Sequence, residues 1–310
     1  MRYRSLNQTG ATASAVSLIL PDVNMREAER IKMIHAALES GINTFEIQSQ
    51  NPEIGAALAK GLGDLDRRLI TVALRLTWSR RAEPGQPSGS AAIAQTIEAM
   101  AEQTGLRGLD LAIIDAPDAE PPPPEAIAVL QSARAQGLVS RLGVAGEGEV
   151  VQEHIRSGKF DALAMRFNVH SGWAARNRVR DASSRDMAVI GYDRYPSRQA
   201  LGLPAALART GGLLARLLTG KPAPEKVGTT SYAFLNDTPG WTAEEVCLAY
   251  ALTEPALTTV QIDPVDVAAL KALAQVPDRE LPSGLAAQIE MARFSNLETE
   301  SAVDKRRLRA

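Results

Sequence analysis

Cysteine is nearly missing from this chain, with one residue, Cys247, in 310. That excludes an internal disulfide framework and a cysteine-rich zinc site. Cys247 stands in the helical pattern EEVCLAYAL, where a small buried core residue is expected. Neither sign of charge is in excess. The 34 basic residues against 36 acidic ones leave a formal net charge of -2. Such a balance gives no basic footprint for nucleic acid or for a membrane surface, so neither partner is expected. Long apolar runs are absent too. No stretch approaches the roughly eighteen apolar residues that a membrane span needs. The opening MRYRSLNQTGATASAVSLILP lacks the apolar core of a secretion signal. The expected location is the cytoplasm.

What is present is a soluble globular composition, 45% hydrophobic and 23% charged, with ample material for a large core. Short apolar strands alternate with amphipathic helices. AVSLIL, INTFE, RLITVALRL, LDLAIID, SRLGVAG, FDALAMRFN, MAVIGYD and LTTVQID read as strands. MREAERIKMIHAALESG, PEIGAALAKGL, SAAIAQTIEAMAEQTG, PPPPEAIAVLQSARAQG, GEVVQEHIRSG, TAEEVCLAYALTEP and VDVAALKALAQV read as helices. Gly41 closes the first helix, and proline opens the second and the fourth. The strands are continuously apolar, as in a parallel sheet covered on both faces. Eight of them suit a closed (β/α)8 TIM barrel better than an open sheet. Residues 196–240, rich in Gly, Pro, Leu and Arg, read as a long loop with some helix near the barrel mouth, before a last helix-strand-helix segment. Residues 1–290 are expected to form one barrel domain, and 291–310 a polar C-terminal tail.

The order of these pieces resembles the aldo-keto reductase superfamily. The first twenty residues look like that family's opening hairpin and first strand. AALESGINTFE resembles A-L-x-x-G-I-N-x-F-D, LDLAIIDAPD resembles D-L-x-x-x-H-x-P-D, and ARAQGLVSRLGVAG resembles G-K-I-R-x-I-G-V-S-N. FDALAMRFNV and AVIGYDRYPS match the family's next two segments. The likeness covers roughly residues 1 to 275. It implies the (β/α)8 fold with chemistry at the C-terminal ends of the strands.

The family's functional residues depart from its pattern here. Its catalytic group is Asp, Tyr, Lys and His. By position the Asp is Glu46, the Lys is Arg75 and the His is Asp115. The loop that carries the tyrosine is shorter here and reads IQSQNP, leaving Asn51 as the nearest side chain. Carbonyl reduction requires a proton donor beside the carbonyl oxygen. Arginine is a poor acid and asparagine supplies no such proton. The residues that hold the nicotinamide carboxamide become Ala145, Gly146 and Ala164. The phosphate-gripping stretch becomes IDPVDVAALKAL, in which Asp263 and Asp266 would repel a phosphate. Tyr192 survives where the family stacks an aromatic ring on nicotinamide. No cofactor is therefore expected, and NADP(H) only if hydride transfer proceeds on non-standard residues.

The strand ends carry Glu46, Arg75, Asp115, Arg166, Tyr192, Asp193, Arg194 and Asp263. A buried charge must be paired or neutralised, and Arg75 between Glu46 and Asp115 would satisfy both acids. The site is expected to use Glu46, Arg75 and Asp115 as catalytic groups. Asn51, Trp78, Arg166, His170, Tyr192 and Arg194 would contact a small polar or anionic ligand. Three alternatives stand beside this: a structural ion-pair network, hydride transfer with NADP(H), and a scaffold that acts through its surface. Arginine between the acids argues against a metal ion. His35 and His154, on exterior helices, read as surface or packing residues. His170 and Trp173 share a loop after the sixth strand.

Overall fold

The computed structural model describes residues 1–6, 11–22, 25–48, 51–63, 65–78, 89–106, 108–196 and 232–295. Two short strands open the chain, β1 (Tyr3–Ser5) and β2 (Thr12–Ser14). They pair antiparallel, with Tyr3 opposite Ser14. Eight parallel strands then close into a barrel: β3 (Val16–Ile19), β4 (Thr44–Ile47), β5 (Thr71–Leu76), β6 (Leu109–Asp115), β7 (Val139–Ala145), β8 (Ala162–Arg166), β9 (Ala188–Tyr192) and β10 (Thr259–Ile262). Each pairs with the next in sequence, and β10 returns to β3. The covering helices are α1 (Glu27–Glu39), α2 (Pro52–Leu62), α3 (Gly89–Gln103), α4 (Pro124–Ala135), α5 (Glu149–Ser157), α6 (Trp173–Ser184), α7 (Ala243–Leu252) and α8 (Val267–Gln275).

Strand side chains alternate between two cores, because successive residues point to opposite faces. Val16, Leu18, Phe45, Ile47, Val72, Leu74, Leu142, Val144, Leu163, Met165, Val260 and Ile262 face the helices in the main core cluster. Ala73, Leu111, Ile113, Ala145, Ala162, Ala164, Ala188 and Ile190 form a separate cluster inside the barrel. Leu6 and Ala13 of the hairpin join that inner cluster, so the hairpin plugs the N-terminal end of the barrel. Asn43 fastens the plug. Its Nδ2 donates to the carbonyls of Thr12 and Leu69, and its Oδ1 accepts from the Ser14 amide at 2.7 Å. Gly41 closes α1 with φ +82°, and a Cβ there would stand 3.0 Å from Met1 and from Tyr3 Oη. Glycine at that position is thus required by the turn and by the hairpin seated over it.

Two helical stretches are absent from the periodicity. α6 (WAARNRVRDASS) buries only Val179 and Ala182, so its arginines and serines blur the apolar stripe. Trp173 therefore opens a helix and does not lie in a loop; it is 77% exposed. Residues 285–295 are also helical and cross the domain boundary placed at 290. Most of the loop expected at 196–240, and the tail from 296 onward, lie outside the described residues. Cys247 is buried in α7. No described helix is long and apolar enough to cross a membrane.

Candidate functional site at the barrel mouth

Several inward-facing positions nearest the C-terminal strand ends are polar. Ile19 pairs with Glu46, Glu46 with Ala73, Arg75 with Ile113, Asp115 with Ala145, and Arg166 with Tyr192. This register carries the side chains of adjacent strands to one end of the lumen. Arg75 Nε donates to Asp115 Oδ1 at 2.6 Å, and Thr77 Oγ1 donates to Asp115 Oδ2 at 3.1 Å. The Arg75 guanidinium also lies over the Tyr192 ring, 5.1 Å from its centroid.

Glu46 is 2% exposed. Its Oε1 accepts from Gln48 Nε2 at 2.7 Å, and its Oε2 accepts from Gln261 Nε2. Burial pushes its carboxyl above the ordinary carboxylate range, while the Arg75 charge and the two amide donors pull the other way without overcoming it. Burial also opposes the charge on Arg75, but the fields of Glu46 and Asp115 outweigh it and hold the guanidinium above its usual value. The Tyr192 phenol is raised, again by burial first, with Arg75 opposing. The mouth thus holds a fixed cation, an ionic partner, a reluctant acid and a phenol.

The remaining expected site residues are placed apart from this cluster or are engaged by other groups. Asn51 caps α2: its Oδ1 accepts from the Glu53 amide, and its Nδ2 donates to Asp22. Arg166 is half-exposed and pairs with Asp193 at 2.8 Å and Glu147 at 3.5 Å. Arg194 is buried, reaching Asp263 at 2.6 Å, the Gln261 carbonyl at 3.3 Å and Glu244. It ties the end of β9 to β10 and α7. His170 is exposed, with its ring edge-on to Tyr232 at 5.1 Å. Trp78 is half-buried against the main core and faces Gly89.

Gln261 and Gln48, which hold Glu46, were missed by sequence reasoning. Gln261 carried a legible signal, a polar side chain between apolar residues in TTVQID, two positions before Asp263. Glu147 and Glu244 had none, since they lie off the strands. Two helix N-termini at this end are filled by the chain's own carboxylates. Asp118 accepts from the amides of Glu149 and Val150 at the start of α5. Asp266 accepts from Ala269 N at 2.8 Å at the start of α8. A helix N-terminus attracts anions, and here each is already neutralised. Among the described residues no group of three or more His, Cys, Asp or Glu side chains is arranged to hold a metal ion.

At the other end of the barrel a cleft runs beside Arg4, Ser5, Asp186 and Thr258. Arg4 there is engaged by the backbone carbonyls of Leu252, Glu254 and Leu257.

Comparison with known proteins agrees with this architecture. The aldo-keto reductase AKR11C1 from Bacillus halodurans superposes in its holo form with a TM-score of 0.71 at 17% identity, covering 94% of this chain and 96% of that one. Its apo form gives 0.66 at 15% identity over the same shares. No curated protein sequence matches the chain. The Aldo/keto reductase family profile matches residues 19–195, more than half of the chain, and the protein belongs to the aldo/keto reductase family.

Proposed function

We propose that this chain is a non-redox member of its family, acting in the cytoplasm, that binds a small polar molecule at the barrel mouth. The observation that carries this is the Glu46–Arg75–Asp115 cluster, in which a guanidinium is bonded to one carboxylate and feels the field of the other. Arginine keeps its proton at any working pH, so Arg75 orients a ligand and does not deliver a proton. Glu46 is the group proposed to exchange one, because burial raises its carboxyl above the ordinary carboxylate range. The Asp118 and Asp266 caps, with Asp263 beside Arg194, disfavour a dinucleotide phosphate on the helices that would receive it. Among the described residues Arg75, Arg166 and Arg194 at the mouth are each already paired with a carboxylate. An anionic ligand must therefore displace Asp115 from Arg75, whereas a neutral polar one need not.

One contact favours a second reading. Tyr192 lies against the Arg75 cation as a phenol lies against a lysine in a proton-donating pair, so carbonyl reduction with NADP(H) on Tyr192 is the rival. Titration of intrinsic fluorescence with NADPH separates the two. The expected result is no saturable quenching up to about 1 mM, the range of very weak binding. Saturable quenching with turnover of a carbonyl compound would overturn the proposal. A thermal-shift screen of small polar metabolites should return at least one stabilising ligand whose effect disappears in Arg75→Met.

A further inference from the structure

The chain is tied down as far as Arg279, whose guanidinium stacks on the Trp241 ring at 3.6 Å and pairs with Glu245 at 3.3 Å. It then turns through Pro282, Ser283 and Gly284. Ser283 and Gly284 are exposed. Gly284 has φ +83°, and a Cβ there would meet nothing within 4 Å. Such a turn can act as a hinge. The helix at 285–295 follows it. Its inner face puts Leu285 and Ile289 into an apolar cluster with Val169, Leu235 and Val246, separate from the main core. Its outer face leaves Met291 68% and Phe294 60% exposed. Two buried apolar side chains are a small anchor, so the polar contacts decide whether the helix stays in place.

Those contacts converge on one carboxylate. Glu290 accepts from Arg176 Nη2 at 2.7 Å, from Tyr250 Oη and from Arg293 Nη2. Burial opposes its charge, but the Tyr250 hydrogen bond and the Arg293 and Arg176 charges outweigh it and hold the carboxyl below its usual range. Arg293 is 7% exposed, and among the described residues Glu290 is the carboxylate it pairs with. Arg293 Nη1 donates to the Ser171 carbonyl at 3.0 Å. A Cβ on Gly172 would stand 3.1 Å from the same nitrogen, so the helix end is seated directly on the loop after β8. From there the bonds run on to the mouth. Ser171 Oγ accepts from the Asn168 amide at 2.9 Å, and Asn168 Nδ2 donates to the Asp193 carbonyl at 2.9 Å. Asp193 holds Arg166 with its carboxylate, from a left-handed backbone at φ +51°. We propose that the helix at 285–295 is a latch, closed by Glu290, that opens about Gly284 while the barrel stays folded, and that its opening releases the mouth loop at 168–172. The proposal goes beyond the reading of the mouth and holds whatever ligand that mouth takes.

The test is hydrogen exchange on the full chain at pH 7, followed by mass spectrometry of peptides from the helix, the mouth loop and the strands. The helix amides, and those of His170 and Ser171, which bond to Asn168, should exchange faster than the amides of β4 to β7. Glu290→Gln removes the charge that Arg176 and Arg293 share. It should speed exchange of the helix and the loop about tenfold, the effect of losing one hydrogen bond to a charged group, and leave the strands unchanged. Tyr250→Phe keeps the packing and removes one donor. It should speed the same two segments by a smaller factor, and it decides the matter if Glu290→Gln does not fold. The proposal is overturned if the helix of the unaltered protein exchanges no faster than the strands. It is equally overturned if a variant speeds all segments alike, which would make Glu290 a staple of the whole barrel. Faster exchange in the helix without the loop, or in neither segment of a folded variant, overturns it too.

Discussion

Replacing Arg75 by methionine removes the cation that, among the described residues, faces Glu46 and Asp115, while keeping most of the side-chain volume. Arg75 is 13% exposed and Asp115 is 28% exposed, with 2.6 Å between Nε and Oδ1. Removing one partner of a fully buried pair costs about 3–5 kcal/mol, because the other charge is left uncompensated. Water reaches part of Asp115, so the expected cost at pH 7 is lower, about 2–3 kcal/mol. Glu46 loses its favourable field at the same time, and its carboxyl rises further. As pH falls Glu46, whose carboxyl burial already raises, takes up its proton, and the penalty should shrink. Asp115→Asn added to Arg75→Met should restore part of the loss, with a coupling energy of about 1–2 kcal/mol. Urea unfolding followed by tryptophan fluorescence measures all three quantities. An Arg75→Met cost below about 0.5 kcal/mol, or strict additivity in the double variant, would show that the cluster is a solvated surface arrangement.

Glu46→Gln should gain stability relative to the wild type as pH rises. Burial lifts the folded carboxyl above its unfolded value, so the folded state holds the extra proton. Wild-type stability from this group is full below about pH 4.3 and is lost as pH climbs through the folded value. Melting temperatures of both proteins across that window should diverge, and a constant gap would contradict the shift. Asp266→Ala should cost about 1 kcal/mol by removing the cap of α8, measurable by chemical unfolding. In Gly148→Ala the new Cβ would lie 1.7 Å from Asp118 Oδ2, so Asp118 must leave the α5 N-terminus. That substitution should also cost about 1 kcal/mol, and Asp118→Ala added to it should cost little more. Independent costs for the two would mean that Asp118 does not act as the cap.

Most of the barrel was legible in the chain because its strands are buried on both faces and read as apolar runs. LDLAIID and PEIGAALAKGL correspond residue for residue to β6 and α2. α6 was not legible: a helix with two buried positions leaves almost no periodic trace, and only its packing beside β9 shows why it forms. The same division holds at the site. Glu46, Arg75 and Asp115 announce themselves as charges at the ends of apolar strands, and strand order alone makes them neighbours. Their partners do not, because Gln261 reaches Glu46 across 215 residues of chain only when β10 closes on β3. Arg194 likewise looked like a ligand contact from its place beside Tyr192, yet closure of the barrel encloses it among Asp263 and Glu244. Local pattern, then, determined where charge stands along each strand. Barrel closure decided which charges meet, because hydrogen-bond register and burial are properties of neighbouring strands and not of any one segment.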